Sequence, residues 1–118
     1  MKTRDGGAME YGKELLKGST DTLLLSLLKD QPMYGYQIIR ELESRSGGYF
    51  KFREGTLYPA LHRLEAAKLV SGSWKKLPSG KERRYYQLTA KGLGLLEQKV
   101  VEWHGFSSAV KLIMEPAN

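Results

Sequence analysis

Five of the eight residues from Thr22 to Lys29 are leucines (Leu23, Leu24, Leu25, Leu27 and Leu28), and no other feature constrains the chain as strongly. Apolar residues this close together point in every direction around a helix, so the helix they build is apolar over most of its circumference. Such a helix is stable in water only when other elements cover it on most sides. It is expected at the structural centre, with any binding surface elsewhere. Ser19 or Thr20 stands where a cap belongs, and Asp21 lies close to the first-turn amides. Asp30-Gln31-Pro32 ends the helix, because proline cannot continue the hydrogen-bond ladder.

The rest of the chain supplies the covering elements. The first eight residues are polar and glycine-bearing, and are expected to be disordered. Met9 to Lys17 reads as a short amphipathic turn with Tyr11, Leu15 and Leu16, which Gly18 interrupts. A second helix is expected over about Tyr34 to Ser46, where Tyr34, Ile38, Ile39 and Leu42 form an apolar stripe. Gly47-Gly48 ends it. After Tyr49, Phe50 and Phe52, a third helix begins near Glu54 to Thr56 and buries Leu57, Leu61 and Leu64. Pro59 is placed in its first turn, where proline is tolerated.

Beyond Leu69 the apolar period changes. Val70 to Leu77 and Arg83 to Leu88 read as strands, with Trp74, Tyr85 and Tyr86 as strand-favouring residues and Pro78-Ser79-Gly80-Lys81 as the turn. Thr89 or Ala90 then opens a long helix to about Met114, and Pro116 closes it. The fold class is mainly α with a small β-hairpin, in the order helix, helix, helix, hairpin, long helix. That is the winged helix-turn-helix layout followed by a long C-terminal dimerisation helix. The division expected is a disordered segment over 1–8, a DNA-binding domain over 9–88 and a dimerisation helix over 89–118.

Composition narrows the function. The 118 residues fit one domain, and the net charge of +6 favours a polyanionic partner. Cysteine is absent, which excludes disulfides, thiolate metal sites and thiol catalysis. The first residues have no apolar run behind their charges, so no secretory leader is expected. No stretch reaches the roughly 18 apolar residues of a membrane span. A soluble cytoplasmic protein that binds no membrane is the expectation.

The hairpin carries much of the charge. From Lys75 to Arg84 the basic residues are Lys75, Lys76, Lys81, Arg83 and Arg84, against Glu82 alone. A solvated surface run would have the same composition, but this one surrounds a tight turn and is interleaved with aromatic residues. On the third helix, Thr56 and Tyr58 can donate to a phosphate or touch a base edge, and Arg63 can pair with phosphate or guanine. An ordinary amphipathic helix with a wet polar face would show the same spacing.

Three blocks resemble the PadR family of bacterial transcriptional regulators: Tyr34-Gly35-Tyr36-Gln37-Ile38, the run Glu54 to Glu65, and the run Arg83 to Gly92. The likeness extends from about Leu16 into the long C-terminal helix. With one C-terminal helix, the chain is similar to the compact subfamily that includes multidrug-responsive repressors. The resemblance implies a homodimer that binds a palindromic double-stranded operator and represses a nearby gene until a small aromatic or lipophilic effector releases it. By motif position it implies a DNA-facing set of Tyr36, Gln37, Thr56, Tyr58, Arg63, Lys81, Arg83 and Arg84. Gly35 and Gly55 read as backbone positions.

Along the last helix Leu93, Leu96, Val100, Trp103, Ser107, Val110 and Met114 recur in steps of three and four, a stripe suited to a partner helix. The dimer interface is assigned to Leu93, Leu96, Val100, Trp103, Val110 and Met114. By resemblance to the compact subfamily, Trp103 and Ser107 would line a cavity between subunits and hold a flat ligand. A tryptophan packed against its symmetry mate needs no ligand. No cofactor or metal is expected, because His62 and His104 sit in no ligand or nucleophile motif. Two readings stay open beside the effector-released repressor. One is a winged-helix module that binds RNA or a protein partner. The other is a DNA-binding repressor with no effector.

Overall fold

In the computed structural model, which describes residues 19–115, the leucine run forms α1, Thr20–Asp30. Leu24, Leu25, Leu27 and Leu28 are buried, and the helix packs against all the other helices and the sheet. It holds the central place that its all-round apolarity requires. The expectations for residues 1–18 and for Pro116 lie outside the described residues.

After Pro32 the chain does not enter the second helix directly. Met33–Tyr34 forms a short strand, β1. It pairs antiparallel with the second strand of the hairpin, with Met33 opposite Tyr86 and Tyr34 opposite Tyr85. The expected hairpin is therefore part of a three-stranded sheet in the order β1-β3-β2. Two residues are too few to show the alternation that marks a strand in sequence, and Tyr34 also fits the helical stripe that follows.

The second helix, α2, spans Gly35–Arg45. It ends as its glycines dictate: Gly47 and Gly48 have φ of 64° and 86°. The Gly48 amide donates to Glu43 O at 2.7 Å, and the Gly47 amide to Ser44 O at 3.2 Å, which satisfies two of the terminal carbonyls. Helix α3, Glu54–Ala66, buries Leu57, Ala60, Leu61 and Leu64. Pro59 is its sixth residue, one turn deeper than expected. Proline there removes the donor to the carbonyl of residue 55 and pushes its ring toward that carbonyl. Residue 55 is an exposed glycine, so water can reach the carbonyl and the helix continues. At the far end Lys68 takes φ 65°, while Leu69 N–H reaches Leu64 O and Lys68 N–H reaches Glu65 O, each at 2.9 Å. This is the same termination as in α2, made without glycine.

Strands β2 (Val70–Lys76) and β3 (Glu82–Leu88) pair from Val70 opposite Leu88 to Lys76 opposite Glu82. Between them Gly80 N–H donates to Leu77 O at 2.9 Å and Leu77 N–H to Lys81 O at 2.7 Å, with Gly80 at φ 91°. Proline at position 78 and glycine at position 80 suit this three-residue connection. Strand alternation puts Val70, Gly72, Trp74, Arg84 and Tyr86 on the inner face, where Val70 and Tyr86 join the core. Tyr34, Lys75, Arg83 and Tyr85 share the outer face.

The last helix, α4, covers Ala90–Met114, about 37 Å at 1.5 Å per residue. Thr89 roots it: its Oγ accepts from Gly92 N–H at 3.0 Å and lies 2.7 Å from Lys68 O, and its own N–H donates to Leu69 O at 3.1 Å. Lys91 Nζ donates to Ala67 O at 3.0 Å. Gly92 presses so closely on the Leu69 carbonyl that a Cβ would overlap its oxygen. The beginning of α4 is thus fastened to the end of α3. Leu96 sits in the core, but past Val100 the helix is uncovered.

Candidate nucleic-acid interface

The N-terminal half of α3 presents Glu54, Gly55, Thr56 and Pro59 to solvent, with Arg53 exposed just before the helix. Thr56 is therefore open to solvent. Tyr58 is half-buried. Its ring lies over the start of α2, where any Cβ on Gly35 would overlap the Tyr58 hydroxyl. Burial, chiefly, and then the nearby Tyr86 and Glu54 raise the Tyr58 pKa above that of a free phenol. The tyrosine and the glycine come from two separate motifs, and they meet as a lock between α2 and α3.

At the start of α2, Tyr36 is 57 % exposed and Gln37 is half-buried. The Arg40 guanidinium lies 5.8 Å from the Tyr36 ring centre, one turn along. Arg63, on α3, donates to Asp21 Oδ1 of α1 at 2.6 Å. In the hairpin, Lys81 is exposed beside the turn. Arg83 stacks 4.1 Å from the centre of the Tyr34 ring, on the outer face. Arg84 points inward, donates to Glu65 Oε2 at 2.5 Å, and lies 5.5 Å and 5.8 Å from the Trp74 and Tyr86 rings. Its guanidinium occupies the space above Gly72, where a Cβ would stand 2.7 Å away. Arg63 and Arg84, both expected to face DNA, thus already hold carboxylate partners within the protein.

The family model for PadR-like transcriptional regulators matches residues 24–98. The chain belongs to the PadR-like family. A solved PadR-family regulator from Eggerthella lenta is 31 % identical, with a TM-score of 0.80 and 96 % of each chain covered. A PadR-like regulator from Bacillus cereus is also 31 % identical, with a TM-score of 0.79, covering 88 % of this chain and 99 % of that one. The transcriptional regulator Rv3488 of Mycobacterium tuberculosis is 34 % identical over 86 residues, 73 % of this chain and 77 % of that protein. The mainly helical fold with a small antiparallel sheet is the winged-helix architecture of these regulators. PadR-family members are DNA-binding regulators of transcription and not enzymes.

Within this PadR fold, the stripe assigned to dimer contact divides in two. Leu96 is buried in its own core, because the first turns of α4 pack on α1. It is spent before a partner arrives, which corrects its assignment to the interface. Leu93, Val100 and Val110 are half-buried, and Met114 is exposed. Trp103 is 54 % exposed, with its ring 6.0 Å from that of Phe106 at 31°. Ser107 is half-buried and its hydroxyl donates to His104 O at 3.4 Å. Among the described residues no cluster of His, Cys, Asp or Glu could hold a metal ion, and no helix is long and apolar enough to cross a membrane. Glu65, three residues from His62, is occupied by Arg84.

Three cations carry more weight in the structure than in the sequence. Arg40 shares the exposed side of α2 with Tyr36, and the four-residue spacing between them was a legible sign. Lys75 stands opposite Arg83 in register and 5.3 Å from the Tyr85 ring. Strand alternation alone would have paired them. Arg53 was hidden in an irregular linker, where no period applies.

Proposed function

We propose that this protein is a cytoplasmic homodimeric repressor that binds a palindromic DNA operator beside the gene it controls. A small aromatic effector bound between the subunits at Trp103 and Ser107 releases it. In this reading residues 9–88 form the DNA-binding unit and residues 89–118 join the two copies. The supporting observation is the uncovered half of α4. Val101, Trp103, Phe106, Leu112, Ile113 and Met114 are 54–81 % exposed along one helix. So many large apolar side chains exposed on one half-helix are unusual on a monomer and mark a contact site. A second copy brings the same helix, so one exposed apolar half-helix covers the other about a two-fold axis. The same axis presents two α3 helices to DNA, which is why the operator should read as a palindrome. Trp103 and Phe106 offer wide apolar faces at that junction, and flat aromatic compounds stack on such faces.

Light scattering after gel filtration tests assembly: a dimer is expected, and a persistent monomer refutes the reading. Gel shifts with the region upstream of its own gene should find half-sites about one helical turn apart. Weak sequence-blind binding there, or preference for RNA, removes the repressor assignment. Planar aromatic compounds should quench the Trp103 fluorescence of a Trp74→Phe variant and weaken operator binding. Equal quenching of Trp103→Ala, in which only Trp74 reports, leaves a repressor with no effector at this site.

A further inference from the structure

The two faces of the sheet treat their cations differently. On the inner face Arg84 is held by Glu65 and lies against Trp74 and Tyr86. On the outer face Tyr34 and Tyr85 meet edge to face at 5.4 Å, and each ring carries a cation: Arg83 at 4.1 Å on Tyr34, Lys75 at 5.3 Å on Tyr85. An open groove of about 680 Å³ runs between this face and α2, with Tyr34, Gln37, Arg40, Lys75 and Tyr85 among its walls. Arg40, Lys75 and Arg83 make no ion pair among the described residues. The acidic groups nearby are already engaged: Arg45 bridges Asp30 at 2.7 Å and Glu41 at 2.8 Å. Glu41, the carboxylate in the groove wall, is thus tied up, while Arg40 and Lys75 in its walls and Arg83 beside it stay unneutralised among the described residues.

We infer that the DNA backbone lies along this groove, its phosphates held by Arg40, Lys75 and Arg83, while Arg84 is a positioning residue that touches no phosphate. The inference rests on the DNA-binding function and names its backbone track. Three cations left without carboxylates suit a polyanion. Arg40 and Lys75 line the two walls of an open groove and Arg83 stands beside it over Tyr34, an arrangement a strand can follow rather than one that converges on a point. The rings beneath Lys75 and Arg83 hold long side chains in place before DNA arrives, which lowers the ordering cost of each contact. Arg84 acts through the hairpin's attitude: with Glu65 it ties β3 to α3, so wing and recognition helix approach DNA as one body.

Phosphate contacts are counted by the salt dependence of affinity, about 0.9 in the log–log slope for each. Fluorescence anisotropy with a random-sequence duplex serves, because these contacts ignore sequence. Arg40→Gln, Lys75→Gln and Arg83→Gln should each flatten the slope by about 0.9 per bound protomer. With two protomers the loss is about 1.8, so the fall in affinity from 50 to 200 mM salt shrinks about twelvefold. Arg84→Gln should weaken binding with a slope parallel to wild type. Glu65→Gln keeps the arginine charge but loses its tie, so its slope should be no flatter than wild type. Thermal melts identify any variant that has unfolded, and either member of the Arg84–Glu65 pair can then carry the test. Wild-type slopes in the first three variants, or a flattened slope in Arg84→Gln or Glu65→Gln, overturn the inference while DNA binding stands. A wild type with no affinity for any duplex removes both.

Discussion

Replacing Gly92 with alanine tests whether α4 is fastened to α3 as described. The new Cβ would overlap the Leu69 carbonyl oxygen, and would lie 2.8 Å from Leu88 Cδ1 and 3.0 Å from the Leu69 carbonyl carbon. The obstacle is backbone, so no rotamer change relieves it, and α4 must lift. Lifting breaks the Thr89 N–H bond to Leu69 O, worth about 1 kcal/mol net. It also strains the Thr89 cap on Gly92, worth about 1 kcal/mol. Overcrowding beside buried Leu96 costs a further 1–3 kcal/mol or so. Alanine returns about 1 kcal/mol through helix propensity, leaving a net loss of roughly 2–4 kcal/mol. For a domain of this size that lowers Tm by roughly 10–25 °C. Gly94 is the matched control, two residues along the same helix, exposed, with nothing within 4 Å of a Cβ. Gly94→Ala should gain up to about 1 kcal/mol. Urea unfolding followed by circular dichroism, at one fixed protein concentration, reads both. A Gly92→Ala variant within about 0.5 kcal/mol of wild type would refute the reasoning, as would equal shifts in both variants.

Other consequences are equally open to measurement. Burial holds the Tyr58 phenol neutral, so its contribution is complete below the unfolded pKa of about 10 and is lost as pH rises through the raised folded value. Tyr58→Phe should therefore lose less stability than wild type between about pH 9 and 11 in urea titrations. Lys68 occupies the left-handed region at φ 65°, so Lys68→Val should cost at least about 1 kcal/mol. Lys68→Gly should be no less stable than wild type, and a loss there would show the strain argument to be wrong. Double-mutant cycles should give Arg84–Glu65, with side chains about 30 % exposed, a coupling of roughly 1–2 kcal/mol. Arg63–Asp21, at 59 % and 44 %, should give about 0–1 kcal/mol; the reverse order would contradict the burial argument.

How much was legible in the sequence depended on the range of the interaction behind each feature. The leucine run, the stripe of α3 and the strand-favouring residues and turn of the hairpin are local signals, and each element formed where they placed it. Strand β1 was not legible, because two residues have no period and its existence depends on Tyr86, some fifty positions away. Pro59 lies a turn deeper than its expected place because α3 begins at Glu54, the earliest of the expected starts. The site followed the same rule. Thr56, singled out on its helix, and Tyr36, named through the family resemblance, are both exposed. Arg63 and Arg84 are expected to face DNA, and the carboxylates that hold them, 42 and 19 residues distant, are invisible to spacing arguments. Gly35 and Tyr58 each stood in a recognisable motif, but only folding shows that one exists to receive the other.

A helix rooted at one end is also a ruler. In the proposed pair of subunits, α4 separates the junction between copies, which begins near Trp103, from the point where each winged domain is attached, a span of about 20 Å. Tilting it by about 10° moves the attached domain by about 3.5 Å, close to the rise of one base pair, about 3.4 Å. Adding one residue to it would turn the domain by about 100° about the helix axis. The operator's half-site spacing and phase are therefore written partly in the length and crossing angle of a helix that need not touch DNA. A ligand that altered that angle would put the two recognition helices out of step with the duplex.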